Sequence, residues 1–387
     1  MPMNATFPRV ALMLGNFVTG LAIVGIAGML PNLASELGVT IQQAGLLITA
    51  GAVVLCLGSP LTVWATNAVD RRILLGGSLL LVALGHFAAA FAPNYAVLLV
   101  LRVATMAAAA VFTPVAASTV AMIVPQAERG SAIAFVFLGW SLSVAVGLPA
   151  VAFLAEHAGW QMTFAAMGVG LLACAWLVLR ALPSGLRSAP ISLGSWRALG
   201  RDRLVVTLLI LTATQVAGQF AVFTYLAPLL TQLAGATVSV VGIFFSLFGV
   251  MGFVGNVIAT RLVTTLGPFT TSGLALLSIF VGFALWSLGA GAVVIMGAGV
   301  ALWGLGFAAI NSMQQARLVG AVPALGGAAV ALNTSAIYVG QAVGSAFGGF
   351  LYAHGMPHAL GYAALIFVAI SLGLLATTRD ARGGVTA

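Results

Sequence analysis

The sequence predicts an all-α integral membrane protein with twelve transmembrane helices in two six-helix pseudo-repeats. Three observations lead there. Of 387 residues, 62% are hydrophobic and only 5% are charged, too little charge to cover a water-soluble fold of this length. All fourteen basic residues are arginines, and all but Arg102 fall at alternate breaks between long apolar runs. The third observation is an internal repeat. "GSAIAFVFLGWSLSVAVGLPAVAFLAEHAGW" begins at Gly130 and "GAAVALNTSAIYVGQAVGSAFGGFLYAHGMP" at Gly327. At one constant offset Gly130 meets Gly327, Ala134 meets Ala331, Gly147 meets Gly344, and Phe153-Leu154 meet Phe350-Leu351.

A helix needs about 20 apolar residues to cross the hydrocarbon core. In chain order the expected spans are 8–32, 42–66, 72–92, 95–123, 130–156, 160–182, 202–233, 238–263, 267–289, 291–319, 325–353 and 357–378. A barrel would instead show short alternating strands. The first run lacks a small-residue cleavage site and is expected to stay as an uncleaved span. Most connections are short. The exception, Pro183 to Arg203, is rich in Pro, Gly and Ser and carries four arginines. It divides the chain into an N-terminal bundle (1–182), a cytoplasmic linker (183–203) and a C-terminal bundle (204–387). Short cytoplasmic loops are enriched in Lys and Arg. The breaks holding Arg9, Arg71, Arg72, Arg129, Arg180 to Arg203, Arg261, Arg317, Arg379 and Arg382 are therefore placed in the cytoplasm, with both termini.

The formal charge of +8 is dispersed over loops, so it fits topology better than nucleic-acid binding, and no nucleic-acid partner is expected. Cys56 and Cys174 lie within apolar runs and read as packing residues. No Walker sequence is present, which argues against ATP-driven action. No cluster of His, Asp or Cys suggests an enzyme, a metal site or a cofactor. The expected partners are a small-molecule substrate and membrane lipid, with protons as a candidate coupling ion, and the chain is expected to be monomeric. Duplicated six-span halves around a midplane site are the architecture of alternating-access carriers.

The stretch "GMLPNLASELGVTIQQAGLLITAGAVVLCLGSPLTVWATNAVDRRILL", Gly28 to Leu75, carries Leu30-Pro31, Leu37-Gly38-Val39, Ala44-Gly45-Leu46-Leu47 and Gly58-Ser59-Pro60-Leu61. In this order and spacing they resemble the major facilitator superfamily. More narrowly, they resemble its twelve-span drug:proton antiporter branch, near the bacterial sugar-efflux and chloramphenicol-efflux permeases. The resemblance implies the major facilitator fold, a bacterial inner-membrane location and a gating loop between spans two and three. There Asn67 and Ala68 replace the usual Asp-Arg, while Asp70, Arg71 and Arg72 remain. Asn67 can cap a helix but cannot form the family's charged pair, and Asp70 is a candidate substitute. The alternative reading is that Arg71 and Arg72 set topology alone. Span five carries Gly139, Gly147 and Pro149, resembling a glycine-proline motif of exporters, in which glycine allows close packing and proline bends the helix.

Arg102 is the sole formal charge well inside a span. Burying it in lipid costs roughly 2.5–3.5 kcal/mol on insertion scales. It is expected to face a wet cavity or a polar partner, with snorkelling to the periplasmic interface as the alternative. Removing it is expected to harm function more than folding. Arg102, Thr105 and Thr113 share a helix face. The other polar stripes are Asn16 and Thr19 in span one, Thr212, Gln215 and Gln219 in span seven, Asn311, Gln314 and Gln315 in span ten, and Thr334, Tyr338, Gln341 and Ser345 in span eleven. Asn16, Thr19, Arg102, Thr105, Gln215, Gln219, Asn311, Tyr338 and Gln341 are the candidate substrate contacts. Such groups also hold helices together. The branch's usual embedded carboxylate in span one is missing, with Ile23 near its position. His86 is the only embedded histidine and reads either as a packing residue or as a titrating group. Together these features suggest a secondary carrier exporting a small neutral or anionic amphipathic compound, drug- or sugar-like, and proton antiport is what the resemblance implies rather than what the residues show. Uptake, facilitated diffusion and a transporter-like sensor remain alternatives.

Overall fold

The structure is a computed structural model that describes residues 6–66, 68–125, 128–187 and 193–378. Helices α1 (Thr6–Val24), α2 (Leu30–Glu36), α3 (Ile41–Ala65), α4 (Arg71–Ala90), α5 (Tyr95–Ala109), α6 (Phe112–Met122), α7 (Arg129–Leu142) and α8 (Leu148–Ala181) are followed by a short α9 (Leu193–Arg201). Then come α10 (Arg203–Phe223), α11 (Leu226–Ala234), α12 (Val238–Leu288), α13 (Val293–Ala321), α14 (Gly326–Ala353) and α15 (Ala359–Thr377). Among the described residues, nine helical stretches are long and apolar enough to cross a membrane. Two of these, Ser131–Ala181 and Val238–Leu288, run for 51 residues each. A straight helix of that length would extend about 75 Å, more than twice the hydrocarbon core of about 30 Å. Both turn at a glycine instead, at Gly159 (φ 82°) and Gly267 (φ 73°). That left-handed backbone is open to glycine at little cost.

The polar residues between apolar runs act mainly as caps. Thr40 and Gln43 form a reciprocal capping box on α3, with bonds of 2.9 and 3.1 Å. Asn94 accepts from Val97 N (3.0 Å) at the start of α5, and Asp202 accepts from Leu204 N (2.9 Å) and Val205 N (3.1 Å) at the start of α10. Each satisfies helix-terminal donors that would otherwise be orphaned. α1 ends in a 3-10 turn, Gly25–Gly28, before α2 resumes with Pro31 in its first turn. The sequence reading treats this span as one helix. It likewise treats α9 as irregular linker, whereas Leu193–Arg201 is helical, with Leu199 buried beside Val205, Leu208 and Leu318.

The chain divides into two compact units, Met1–Pro190 with Ala236–Gly249, and Ile191–Gly235 with Val250–Ala387. In the first, α1 is central. A Cβ on Gly139 of α7 would stand 2.2 Å from Met13 O, and one on Gly15 would stand 2.2 Å from the Phe112 ring. In the second, α10 lies against α14. Cβ atoms on Gly340, Gly344 and Gly348 would stand 2.3, 2.1 and 2.4 Å from the carbonyl oxygens of Ala213, Ala217 and Ala221. Small residues every fourth position on both helices allow this approach. Gly282 and Gly299 make a reciprocal contact of the same kind between α12 and α13.

Candidate functional site

In the second unit, three predicted residues join in one hydrogen-bonded chain. Trp303 Nε1 donates to Gln219 Oε1 at 2.8 Å, Gln219 Nε2 donates to Gln215 Oε1, and Gln215 Nε2 donates to Asn311 Oδ1 at 3.2 Å. Asn311 Nδ2 then donates to Phe307 O at 3.0 Å. The Trp303 indole at the head only donates, and each amide after it accepts through oxygen and donates through nitrogen, so the dipoles run one way and reinforce each other. Gln215 and Gln219 are buried, whereas Asn311 is partly exposed. The (i, i+4) spacing of the two glutamines made this stripe legible. Trp303, on α13, did not announce its amide partner. Nearby, Thr212 Oγ1 donates to Asn333 Oδ1 (2.9 Å) and Gln314 Nε2 donates to Leu208 O (3.2 Å). Tyr338 and Gln341 are buried on α14, and Gln341 Nε2 finds no hydrogen-bond partner among the described residues.

In the first unit, Asn16 ties three helices. Its Nδ2 donates to Val136 O (3.1 Å), and its Oδ1 accepts from Thr113 Oγ1 (2.9 Å). Thr19 is fully buried, with no described partner for its hydroxyl. Thr105 Oγ1 donates to Leu101 O of its own helix at 2.6 Å. Arg102 is only 4% exposed. Its Nη1 donates to Ala22 O (2.6 Å), its Nη2 to Ile23 O (2.7 Å) and its Nε to Leu47 O (3.2 Å). The first two carbonyls belong to the last turn of α1, where intrahelical partners run out. A cation there also meets the negative end of the helix dipole. Arg102 therefore turns inward and caps the break in α1. Side-chain periodicity could not reveal this, because its partners are backbone atoms.

Of the expected gating residues, Asn67 lies outside the described residues. Asp70 caps α4 through Arg72 N (2.8 Å) and also accepts from Gly185 N, while Arg71 N donates to Leu186 O at 2.9 Å. The start of the linker is thereby latched to the loop before α4. The Gly185 N–H, and after it the Arg72 N–H and the nearby Arg187, hold the Asp70 carboxyl below the usual carboxylate range. A lowered value makes the latch fully present above about pH 4 and lost as pH falls through it. Asp70→Ala is expected to cost about 1 kcal/mol through the lost cap and to speed amide exchange at 183–187. Unchanged exchange there would show that the latch carries no stability. Arg71 is buried and Arg72 partly so.

Gly147 closes a π-helical turn, Ser143–Gly147, and faces Leu21 of α1. Pro149 follows in the first turn of α8. Lacking an N–H, it cannot donate to Ala145 O four residues back. That carbonyl accepts from Ser246 Oγ instead, at 2.9 Å.

Residues 12–332 match the sequence model of the Major Facilitator Superfamily. Among relatives, a chloramphenicol resistance protein of Streptomyces lividans is 36% identical over 242 residues. That alignment covers 61% of this chain and 62% of the relative, so the chain spans less than two thirds of that protein's length. The inner membrane transport protein YdhP of Escherichia coli K12 is 29% identical over 363 residues, covering 92% of this chain and 91% of its own. Among solved structures, the human organic anion transporter MFSD10 (TETRAN) superposes with a TM-score of 0.77 at 18% identity, covering 96% of this chain and 99% of the other. At that identity the likeness concerns the fold. With apolar helices able to span a membrane and a family match over most of its length, this chain belongs to the Major Facilitator Superfamily of multi-pass membrane transporters.

Proposed function

We propose that the chain is a secondary exporter of a small neutral or anionic amphipathic compound, drug- or sugar-like, working by alternating access and driven by the proton gradient. The observation that carries this reading is the amide chain Trp303–Gln219–Gln215–Asn311. Polar groups in membrane helices are expensive and tend to be functional. Amides offer donors and acceptors without charge, which suits a carbonyl- or hydroxyl-bearing ligand. No carboxylate takes part, so a cation would lack a counter-charge. The resemblance to a chloramphenicol resistance protein supports the export direction. Tyr338, Gln341, Asn16, Thr19 and Thr105 are further proposed substrate contacts, while Arg102 serves by positioning α1. Asp70, Arg71, Arg72, Gly147 and Pro149 are proposed gating residues. In this reading the two long bent helices each cross twice and α14 crosses once, which brings the count to twelve. The two bundles (1–182 and 204–387) flank a cytoplasmic linker, with both termini in the cytoplasm of a bacterial inner membrane.

The test is flux in proteoliposomes, with and without an imposed pH gradient, over a compound panel that includes chloramphenicol. Gradient-stimulated flux of a neutral or anionic compound is expected. Gln215→Leu leaves Gln219 Nε2 and Asn311 Oδ1 without their present partners, at about 1–3 kcal/mol each. Flux per folded protein is expected to fall roughly tenfold or more. Full flux in that variant would remove the amide chain from the substrate path.

A further inference from the structure

The first unit holds a histidine inside a span, His86 of α4, only 2% exposed. Its Nδ1 lies 2.9 Å from Val82 O. A carbonyl oxygen only accepts, so Nδ1 carries the hydrogen and, in the neutral ring, Nε2 presents a bare lone pair. Nε2 is buried and has no hydrogen-bond partner among the described residues. His86 lines a small cavity with Ile26, Leu98, Arg102, Thr105 and Phe164. A buried acceptor without a partner is costly and calls for an explanation.

We propose that His86 is the proton-binding residue of this carrier and that Nε2 is the atom that takes the proton. The inference rests on the proton-driven reading above and supplies the group that reading lacks. The described acids sit at helix ends and loops. Glu36 closes α2, Asp70 and Asp202 are caps, Glu128 pairs with Arg9, and the exposed Glu156 accepts from Asn32. None is placed to carry a proton inside the bundle.

The surroundings of His86 explain how a proton there would be coupled to shape. Arg102 of α5 is the one charged group among the described cavity-lining residues. α1 contributes Ile26 and α8 contributes Phe164, whose ring centroid is 5.6 Å from the imidazole. α6, which also packs on α4, has no titratable side chain. The three Arg102 nitrogens are committed to Ala22, Ile23 and Leu47 carbonyls, and Ile26 lies in the break that follows. A proton on Nε2 places a second positive charge in the same small space with no carboxylate to answer it. That repulsion loosens the clamp on α1. The charge is tolerated when water enters the cavity and disfavoured when the cavity is closed. Two conformations that differ in proton affinity are what coupling requires.

The decisive variant is His86→Asn, whose side-chain N–H₂ can still reach Val82 O but cannot titrate. With the full chain in lipid nanodiscs and no substrate, amide exchange at Ile26 and Ala27, corrected for intrinsic rates, is expected to slow in the wild type as pH falls from about 8 to 5, because α1 rewinds once the clamp loosens. In His86→Asn it is expected to stay flat. In proteoliposomes the variant is expected to lose at least tenfold of the gradient-driven stimulation while keeping substrate exchange without a gradient. If the wild type is stimulated and the variant is equally so, the His86 assignment is overturned and proton-driven export stands. If the wild type itself ignores the gradient, both are overturned. Should His86→Asn not fold, nitrogen NMR of histidine-labelled wild type decides. A His86 ring that stays neutral across the same range overturns the proposal, and one that protonates supports it.

Discussion

Gly344→Leu is expected to leave little folded protein in the membrane. Lipid tails are as apolar as leucine, so helices in a bilayer associate through close packing and hydrogen bonds rather than water exclusion. α10 and α14 use the closest form of such packing. At Gly344 a Cβ alone would stand 2.1 Å from Ala217 O and 2.9 Å from its Cα. Those are backbone atoms, so no rotamer change relieves the clash, and the helices must separate along the whole stripe from Gly340 to Gly348. Overpacking costs about 1–3 kcal/mol where side chains can yield, and here they cannot. Gly373 lies on α15 with nothing within 4 Å of a Cβ, and Gly373→Ala is expected to be neutral. Fluorescence-detected size exclusion of tagged variants measures both. A monodisperse Gly344→Leu peak at wild-type level would mean that α10 and α14 stand farther apart.

Gly147 and Gly344 show how far the sequence could lead. They are matched partners in the internal repeat, and both meet the first long helix of their own unit, Leu21 of α1 and Ala217 of α10. One meets a side chain and the other a backbone oxygen, which the shared glycine does not disclose. Helix ends were legible because hydropathy and arginine placement act over whole segments. α4 runs Arg71–Ala90 against an expected 72–92, and α13 runs Val293–Ala321 against 291–319. The break at Gly25–Gly28 was not legible, because glycines recur throughout these apolar runs and only tertiary contacts decide which of them interrupt a helix. α9 was hidden for the opposite reason. Its glycines and arginines resemble a linker, while Trp196 and Leu199, three residues apart, dock on the bundle. In the site, the glutamine stripe followed from spacing on one helix. The clamp at Arg102 and the latch at Gly185 depend on main-chain atoms and needed coordinates.

Arg102→Ala is expected to cut transport at least tenfold while leaving the protein folded, and the geometry gives the reason. Removing the guanidinium strips the carbonyls of Ala22, Ile23 and Leu47 of a donor. At about 1–3 kcal/mol for each unsatisfied group, that loss outweighs the roughly 2.5–3.5 kcal/mol regained by taking a charge out of the membrane. The chain has a cheaper response than unfolding. Ala22 O and Ile23 O can be satisfied if α1 rewinds through the 3-10 turn, so that the amides of Ile26 and Ala27 pair four residues back. The cost then appears as a straightened α1 and a displaced α2. Arg102→Lys keeps the charge but replaces a planar fork with a compact ammonium, which cannot match the guanidinium's fixed spread over three carbonyls. It is expected to lie between wild type and alanine. Amide exchange over residues 22–30 and flux per folded protein measure the two halves of this argument. In the alanine variant, the amides of Ile26 and Ala27 are expected to become more protected and flux to fall at least tenfold. Wild-type flux with unchanged exchange would mean that α1 holds its break without Arg102, and the clamp would then have no role in the transport cycle.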